Sequence, residues 1–169
     1  MQGEISVTSK LGEGSKFSFE FPVQIPVNAK QQTQRTNDQT MLHGTRILLV
    51  EDNPTNQLLA KTMLKKCGAQ CEVATNGLEA VECLTAIKQD QQQKQFDVVL
   101  MDCQMPVMDG YEATRTIRQD LELVDLPIIA MTANALSGDR ERCIEAGMDD
   151  YIAKPIRMQT VSQTIAHWV

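Results

Sequence analysis

The chain has 169 residues, 42% hydrophobic and 22% charged, with a formal net charge of −6; that is enough to bury a real core in one ordinary domain and leave extra segments over. Residues 1–44 balance Lys10, Lys16, Lys30 and Arg35 against Glu4, Glu13, Glu20 and Asp38, so the acidic excess lies beyond them, and no basic stripe with interleaved aromatics argues for direct nucleic-acid binding. No apolar run is long enough to span a bilayer and no signal peptide is visible, so neither membrane contact nor export is expected.

The first segment, "GEISVTSKLGEGSKFSFEFPV", alternates Ile5 and Val7, then Phe17, Phe19 and Phe21, with polar residues. This predicts two strands around a glycine-rich turn. Two strands alone are marginal in water, so the segment reads as the end of something larger. Residues 28–44, "NAKQQTQRTNDQTMLHG", are polar and predict a flexible linker. The chain thus divides into residues 1–27, 28–44 and 45–169.

From residue 45 a βα rhythm runs to the C-terminus. "RILLV" (46–50) is a fully apolar strand. Asn53 can cap the helix that follows, with Pro54 at its first position and Gly68 past its end. Leu59, Met63 and Cys67 share a face at i, i+4 spacing. "QCEVAT" is a second strand, and Asn76 precedes a helix with Ala80, Leu84 and Ile87 on one face. The helix trails into "KQDQQQKQ", read as a solvated extension or loop. "FDVVLM" is the third strand, followed by a helix carrying Ala113, Ile117 and Leu121. "LPIIAM" is the fourth, with a helix from about Ser137 to Ala146 ended by Gly147. "DYIA" is the fifth, and a last helix aligns Val161, Ile165 and Trp168. Continuous apolar strands, rather than alternating ones, predict an α/β fold with helices on both faces of a parallel sheet. Cys67, Cys71, Cys83, Cys103 and Cys143 are an odd set without paired CxxC spacing, and read as reduced thiols filling a cytosolic core.

In such sheets ligands bind beyond the carboxyl ends of the strands, where strand order reverses. The first of these five strands ends in Glu51 and Asp52, the third in Asp102, the fourth in Thr132 and the fifth in Lys154. Singly, each is a strand terminus of no note; together they place three carboxylates, a hydroxyl and an ammonium on one rim. Clustered carboxylates repel one another unless a cation intervenes. Oxygen donors without histidine suit a hard cation, and Mg2+ takes one or two carboxylates and accepts phosphate oxygens. A carboxylate can also act as a nucleophile toward phosphorus, with hydroxyl and ammonium donors around the transferred group.

"ILLVEDNPTNQ", "VVLMDCQMPVMDGYEATRTIR", "PIIAMTANA" and "GMDDYIAKPI" resemble the receiver domains of response regulators and hybrid histidine kinases over about residues 45–169. The resemblance implies a doubly wound (βα)5 flavodoxin/CheY-like parallel sheet of order 2-1-3-4-5. It implies Asp102 as phospho-acceptor and Glu51 with Asp52 as the acidic pocket. Mg2+ would lie on Asp52, Asp102 and the backbone carbonyl of Gln104, with Glu51 behind them. Thr132 and Lys154 would contact the phosphoryl group, and Lys154–Pro155 would be a cis peptide. Thr132 and Tyr151 would form a switch, read by partners on the face of the fourth helix, fifth strand and fifth helix. The implied partners are a histidine-kinase core or a histidine phosphotransfer protein. The implied location is cytoplasmic, within a parent protein that can itself be membrane-anchored.

"LGEGSKFSFEFPV" is similar to the last glycine-rich turn and terminal strand of a histidine-kinase ATP-binding domain, with Gly12 and Gly14 at the turn. Residues 1–27 would then be the tail of that domain in a hybrid sensor kinase. The rest of an ATP site is missing from this sequence, and His43 and His167 have no phospho-donor context, so this stretch by itself is not expected to phosphorylate from ATP. Other readings are a degenerate receiver serving as a binding module, an Mg2+-dependent aspartyl-phosphate phosphatase, or a flavodoxin-like cofactor binder. The phosphatase pattern wants a second aspartate where Gln104 stands. "EDNPTN" puts carboxylates where a phosphate-cradling loop belongs.

Overall fold

The computed structural model describes residues 3–12, 14–20, 42–90, 92, 94–133 and 137–169, without the side chains of 137–139. The chain falls into two units, taken separately here. The first is an antiparallel hairpin of β1 (Glu4–Lys10) and β2 (Gly14–Glu20). Ile5 pairs with Phe19 and Val7 with Phe17, and all four are 60–76% exposed. The predicted alternation is present for these four and forms one apolar face of the ribbon; Phe21 lies outside the described residues.

The second unit is a five-stranded parallel sheet: β3 (Arg46–Val50), β4 (Gln70–Ala74), β5 (Val98–Asp102), β6 (Ile128–Thr132) and β7 (Asp150–Ala153). Its order is β4-β3-β5-β6-β7, the 2-1-3-4-5 arrangement counted from β3. The connecting helices are α1 (Pro54–Lys66), α2 (Gly77–Gln89), α3 (Gly110–Gln119), α4 (Ser137–Ala146) and α5 (Met158–Trp168). Successive strand residues point to opposite faces, so each apolar run feeds two cores. Leu48, Val50, Val99, Met101, Ile128 and Ala130 pack with Leu84, Ala113 and Ile117. Ile47, Leu49, Val98, Leu100, Ile129 and Met131 pack with Leu64, Val161 and Ile165. Each Val, Leu, Ile or Met among them contributes roughly 1.5–3 kcal/mol by burial.

Three readings of faces and ends need correction. In α1 the buried side is Ala60 and Leu64, continued by Cys67, whereas Leu59 is 45% and Leu58 68% exposed. Small Ala60 meets the sheet; of the predicted set Leu59 turns to solvent, Met63 is half-buried and Cys67 is buried. Leu121 lies past the end of α3 and only flanks the core. Trp168 does not join Val161 and Ile165 inside; it stays at the surface, its indole N–H donating to Asp150 Oδ2 at 3.1 Å. At the linker's end Leu42 is buried, its N–H donating to the Cys67 carbonyl at 2.7 Å. Residues 28–41 lie outside the described residues. All five cysteines are free; Cys67, Cys103 and Cys143 are buried as predicted, while Cys71 and Cys83 are half-buried.

Candidate functional site

The carboxyl edge of the sheet gathers the predicted rim. Glu51 and Asp52 follow β3, Asp102 ends β5, Thr132 ends β6 and Lys154 follows β7. Glu51, Asp102 and Thr132 are buried, while Asp52 is exposed. Carboxylate oxygens of Glu51, Asp52 and Asp102 lie within 4.8 Å of one another. Lys154 Nζ joins two of them, donating to Asp102 Oδ2 at 2.6 Å and to Glu51 Oε2 at 2.8 Å. Its position is set by the β6–β7 edge, where the Lys154 N–H donates to the Thr132 carbonyl at 2.7 Å. The Lys154–Pro155 peptide is cis.

Burial pushes the Asp102 carboxyl above its ordinary value; the Lys154 hydrogen bond and charge and the Gln104 N–H oppose this, and Glu51 adds to it. For Lys154 burial disfavours the charge, yet its bonds to Asp102 and Glu51 outweigh that and raise it. Three carboxylates against one ammonium leave the cluster short of positive charge.

The loop after β5 closes tightly over Asp102. The Gln104 N–H donates to Asp102 Oδ1 at 3.2 Å, and the Gly110 N–H donates to the Cys103 carbonyl at 3.2 Å. A Cβ on Gly110 would stand 2.1 Å from the Asp102 carbonyl oxygen, so only glycine lets α3 start there. Val107, in the same loop, is a 78% exposed β-branched residue at φ +71°. Tyr151 is half-buried opposite Ala130, on the side of the sheet that Thr132 shares by its two-residue spacing from Ala130.

Two amides that the sequence reading quoted but gave no role complete the site. Asn56 Nδ2 donates to Glu51 Oε1 at 2.8 Å, and Gln57 Nε2 donates to the Glu51 carbonyl at 2.6 Å. Their signal was positional: once α1 starts at Pro54, its first turn stands beside the end of β3.

A family model of the response regulator receiver domain matches residues 47–166. The chain belongs to this family. Among solved receivers it is similar to the receiver domain of a Pseudomonas aeruginosa sensor histidine kinase, with 44% identity and a TM-score of 0.64 over 74% of this chain and 97% of that one. That structure holds a magnesium ion in its active-site cleft. A receiver of Saccharomyces cerevisiae, solved with a histidine phosphotransfer signalling protein, shares 30% identity at a TM-score of 0.65, over 73% of this chain and 88% of that one. The autoinducer 2 sensor kinase/phosphatase LuxQ of Vibrio vulnificus is 37% identical over 99% of this chain and 19% of its own length. The chain spans about 13–19% of the length of the curated relatives it matches.

Proposed function

We propose that this receiver takes a phosphoryl group from a phosphohistidine onto Asp102 and hands it on within a phosphorelay. The observation that carries the reading is the buried Asp102 carboxylate, joined to Lys154 at 2.6 Å inside a three-carboxylate cluster. An Asp102 oxygen attacks phosphorus, the P–N bond breaks, and its electron pair leaves on the imidazole nitrogen. Lys154 supplies fixed positive charge beside the group that arrives. Thr132 donates its hydroxyl to a phosphoryl oxygen, and Tyr151 follows it, altering the face of α4, β7 and α5.

The donor set fits Mg2+: oxygen ligands only, one of them exposed, in a cluster short of positive charge. Asp52, Asp102 and the Gln104 carbonyl would hold the ion, with Glu51 behind them. When bound, it offsets negative charge on the phosphoryl oxygens.

The partner class is a histidine-kinase core or a histidine phosphotransfer protein, in keeping with the yeast complex. Leu58 and Leu59 on α1 and Val107 after β5 are exposed apolar side chains of the elements that carry the rim, and they offer such a partner a contact surface. Residues 1–27 are read as the tail of a kinase ATP-binding domain; the exposed apolar face of Ile5, Val7, Phe17 and Phe19 and the alignment with LuxQ over 99% of this chain support that reading. No helix among the described residues is long and apolar enough to cross a membrane; a cytoplasmic setting is part of the proposal.

Intact mass after incubation with acetyl phosphate tests the chemistry. A single phosphoryl adduct that requires Mg2+ and is absent from Asp102→Asn is the expected result. An adduct on Asp102→Asn, or one indifferent to Mg2+, contradicts it.

A further inference from the structure

The "NQ" of "EDNPTNQ" lies within the first turn of α1 and reaches back to Glu51. Glu51 is 2% exposed, and a buried carboxylate is tolerable only when both oxygens are met. Lys154 meets Oε2 at 2.8 Å and Asn56 meets Oε1 at 2.8 Å; among the described residues Oε1 otherwise accepts from the Asn53 N–H, at 3.4 Å. A carboxylate only accepts hydrogen bonds, so the Asn56 amide must present its NH2 group here. The bonds form a line from α1 to the acceptor: Asn56 to Glu51, Glu51 to Lys154, Lys154 to Asp102. Leu59, Ala60, Met131, Pro155 and Ile156 wall a small pocket beside Asn56, Glu51 and Lys154, so these bonds sit against apolar surface.

We infer that Asn56 is a positioning residue of the phosphoryl-transfer site, acting through Glu51. This rests on the function proposed above. With Asn56 in place, Glu51 is held at one oxygen and engages Lys154 with the other, which leaves Lys154 aimed at Asp102. Without the amide, Oε1 keeps, among the described residues, the long Asn53 N–H contact. The carboxylate then turns toward Lys154 or the neighbouring carboxylates, drawing Lys154 from Asp102 and disturbing the place where Mg2+ would lie. Side chains that stand behind metal ligands, as Glu51 would, typically govern 10–100-fold in affinity, and Asn56 acts through Glu51. Gln57 steadies the same residue at its backbone, so of the two amides it is Asn56 that meets the carboxylate itself.

The test uses the full chain, with Asn56→Leu to keep the volume without the donor and Asn56→Ala as a second variant should leucine upset folding. Mg2+ binding is followed by calorimetry, phosphorylation by acetyl phosphate, and both variants are repeated in Glu51→Gln. Asn56→Leu should weaken Mg2+ about tenfold and lower the maximal phosphorylation rate without changing the half-saturating acetyl phosphate. In Glu51→Gln the same change should have no further effect, because the carboxylate it orients is gone. Unchanged Mg2+ affinity in both variants, or effects that simply add to those of Glu51→Gln, overturns the inference. A wild-type chain that takes up neither Mg2+ nor phosphoryl group overturns the underlying function instead, so the two failures are told apart.

Discussion

Lys154 reaches Asp102 and Glu51 from the end of a different strand and partly neutralises a cluster of three carboxylates. The sequence showed its members because each closes an apolar run, and a charge at such a point stands out against its neighbours. Val107 shows the opposite. Nothing in "MPVMDG" announces a valine at φ +71°, because backbone conformation leaves no mark on residue type when the strained residue is not glycine. Its side chain is exposed, so little packing is lost by replacing it. Val107→Asn, a residue that tolerates the left-handed region, should stabilise the fold by about 1 kcal/mol in urea denaturation. An unchanged or lower midpoint would mean that the valine side chain makes up for its backbone. Asn56 and Gln57 were likewise unread as site residues, since their roles depend on a helix turn meeting a strand end. The thiol of Cys103, next to the acceptor, is pushed up to about 12, chiefly by burial and then by Cys143 at an Sγ–Sγ distance of 3.9 Å. It remains a protonated core filler, as the cysteine pattern implied.

Among the elements, α2 and α3 carry the clearest local signals. The Asn76 side chain accepts from the Glu79 N–H at 2.9 Å, while the Glu79 carboxylate accepts from the Thr75 hydroxyl and the Thr75 N–H, both at 2.7 Å. This reciprocal cap ties the end of β4 to α2. The Thr75 hydroxyl and N–H, and then Asn76, hold the Glu79 carboxyl below its ordinary value. Its stabilising contribution is therefore complete above the ordinary glutamate range and fades as the pH falls through the lowered value. Glu79→Gln should lower the melting temperature by about 1–2 °C at neutral pH, and the gap to wild type should close on acidification. A gap that widened in acid would contradict the cap. At α3 the constraint is space: Gly110→Ala sets a methyl group against the Asp102 carbonyl. A loss of about 3 kcal/mol is expected, and phosphorylation should fall with it because the same loop positions Asp102. Retained stability would show that α3 can retreat. Glycine's presence was legible and the contact was not. The face of α1 was misread for a related reason: Leu59 and Ala60 both begin acceptable i, i+4 sets, and only the sheet decides between them.

At the scale of the whole molecule, layering followed from the sequence because continuous apolar strands need helices on both faces, whereas the strand order came with the resemblance to receivers. The paired faces of "RILLV" and "VVLMD" each supply both cores, as unbroken runs must. The hairpin was legible as two strands but not as a finished unit; its apolar face asks for a partner the pattern does not name. The groups the proposed chemistry needs, by contrast, all lie in the second unit: Glu51, Asp52, Asp102, Thr132 and Lys154 come from four strand ends. The most direct measurement is to locate the phosphoryl group itself. Borohydride reduces an aspartyl phosphate to homoserine, so the chain is treated with acetyl phosphate and Mg2+, reduced, digested and mapped by peptide mass. The account predicts homoserine at position 102 and nowhere else, and none when Mg2+ is withheld. Reduction at Asp52, at Glu51 or at a carboxylate outside the cluster would contradict it.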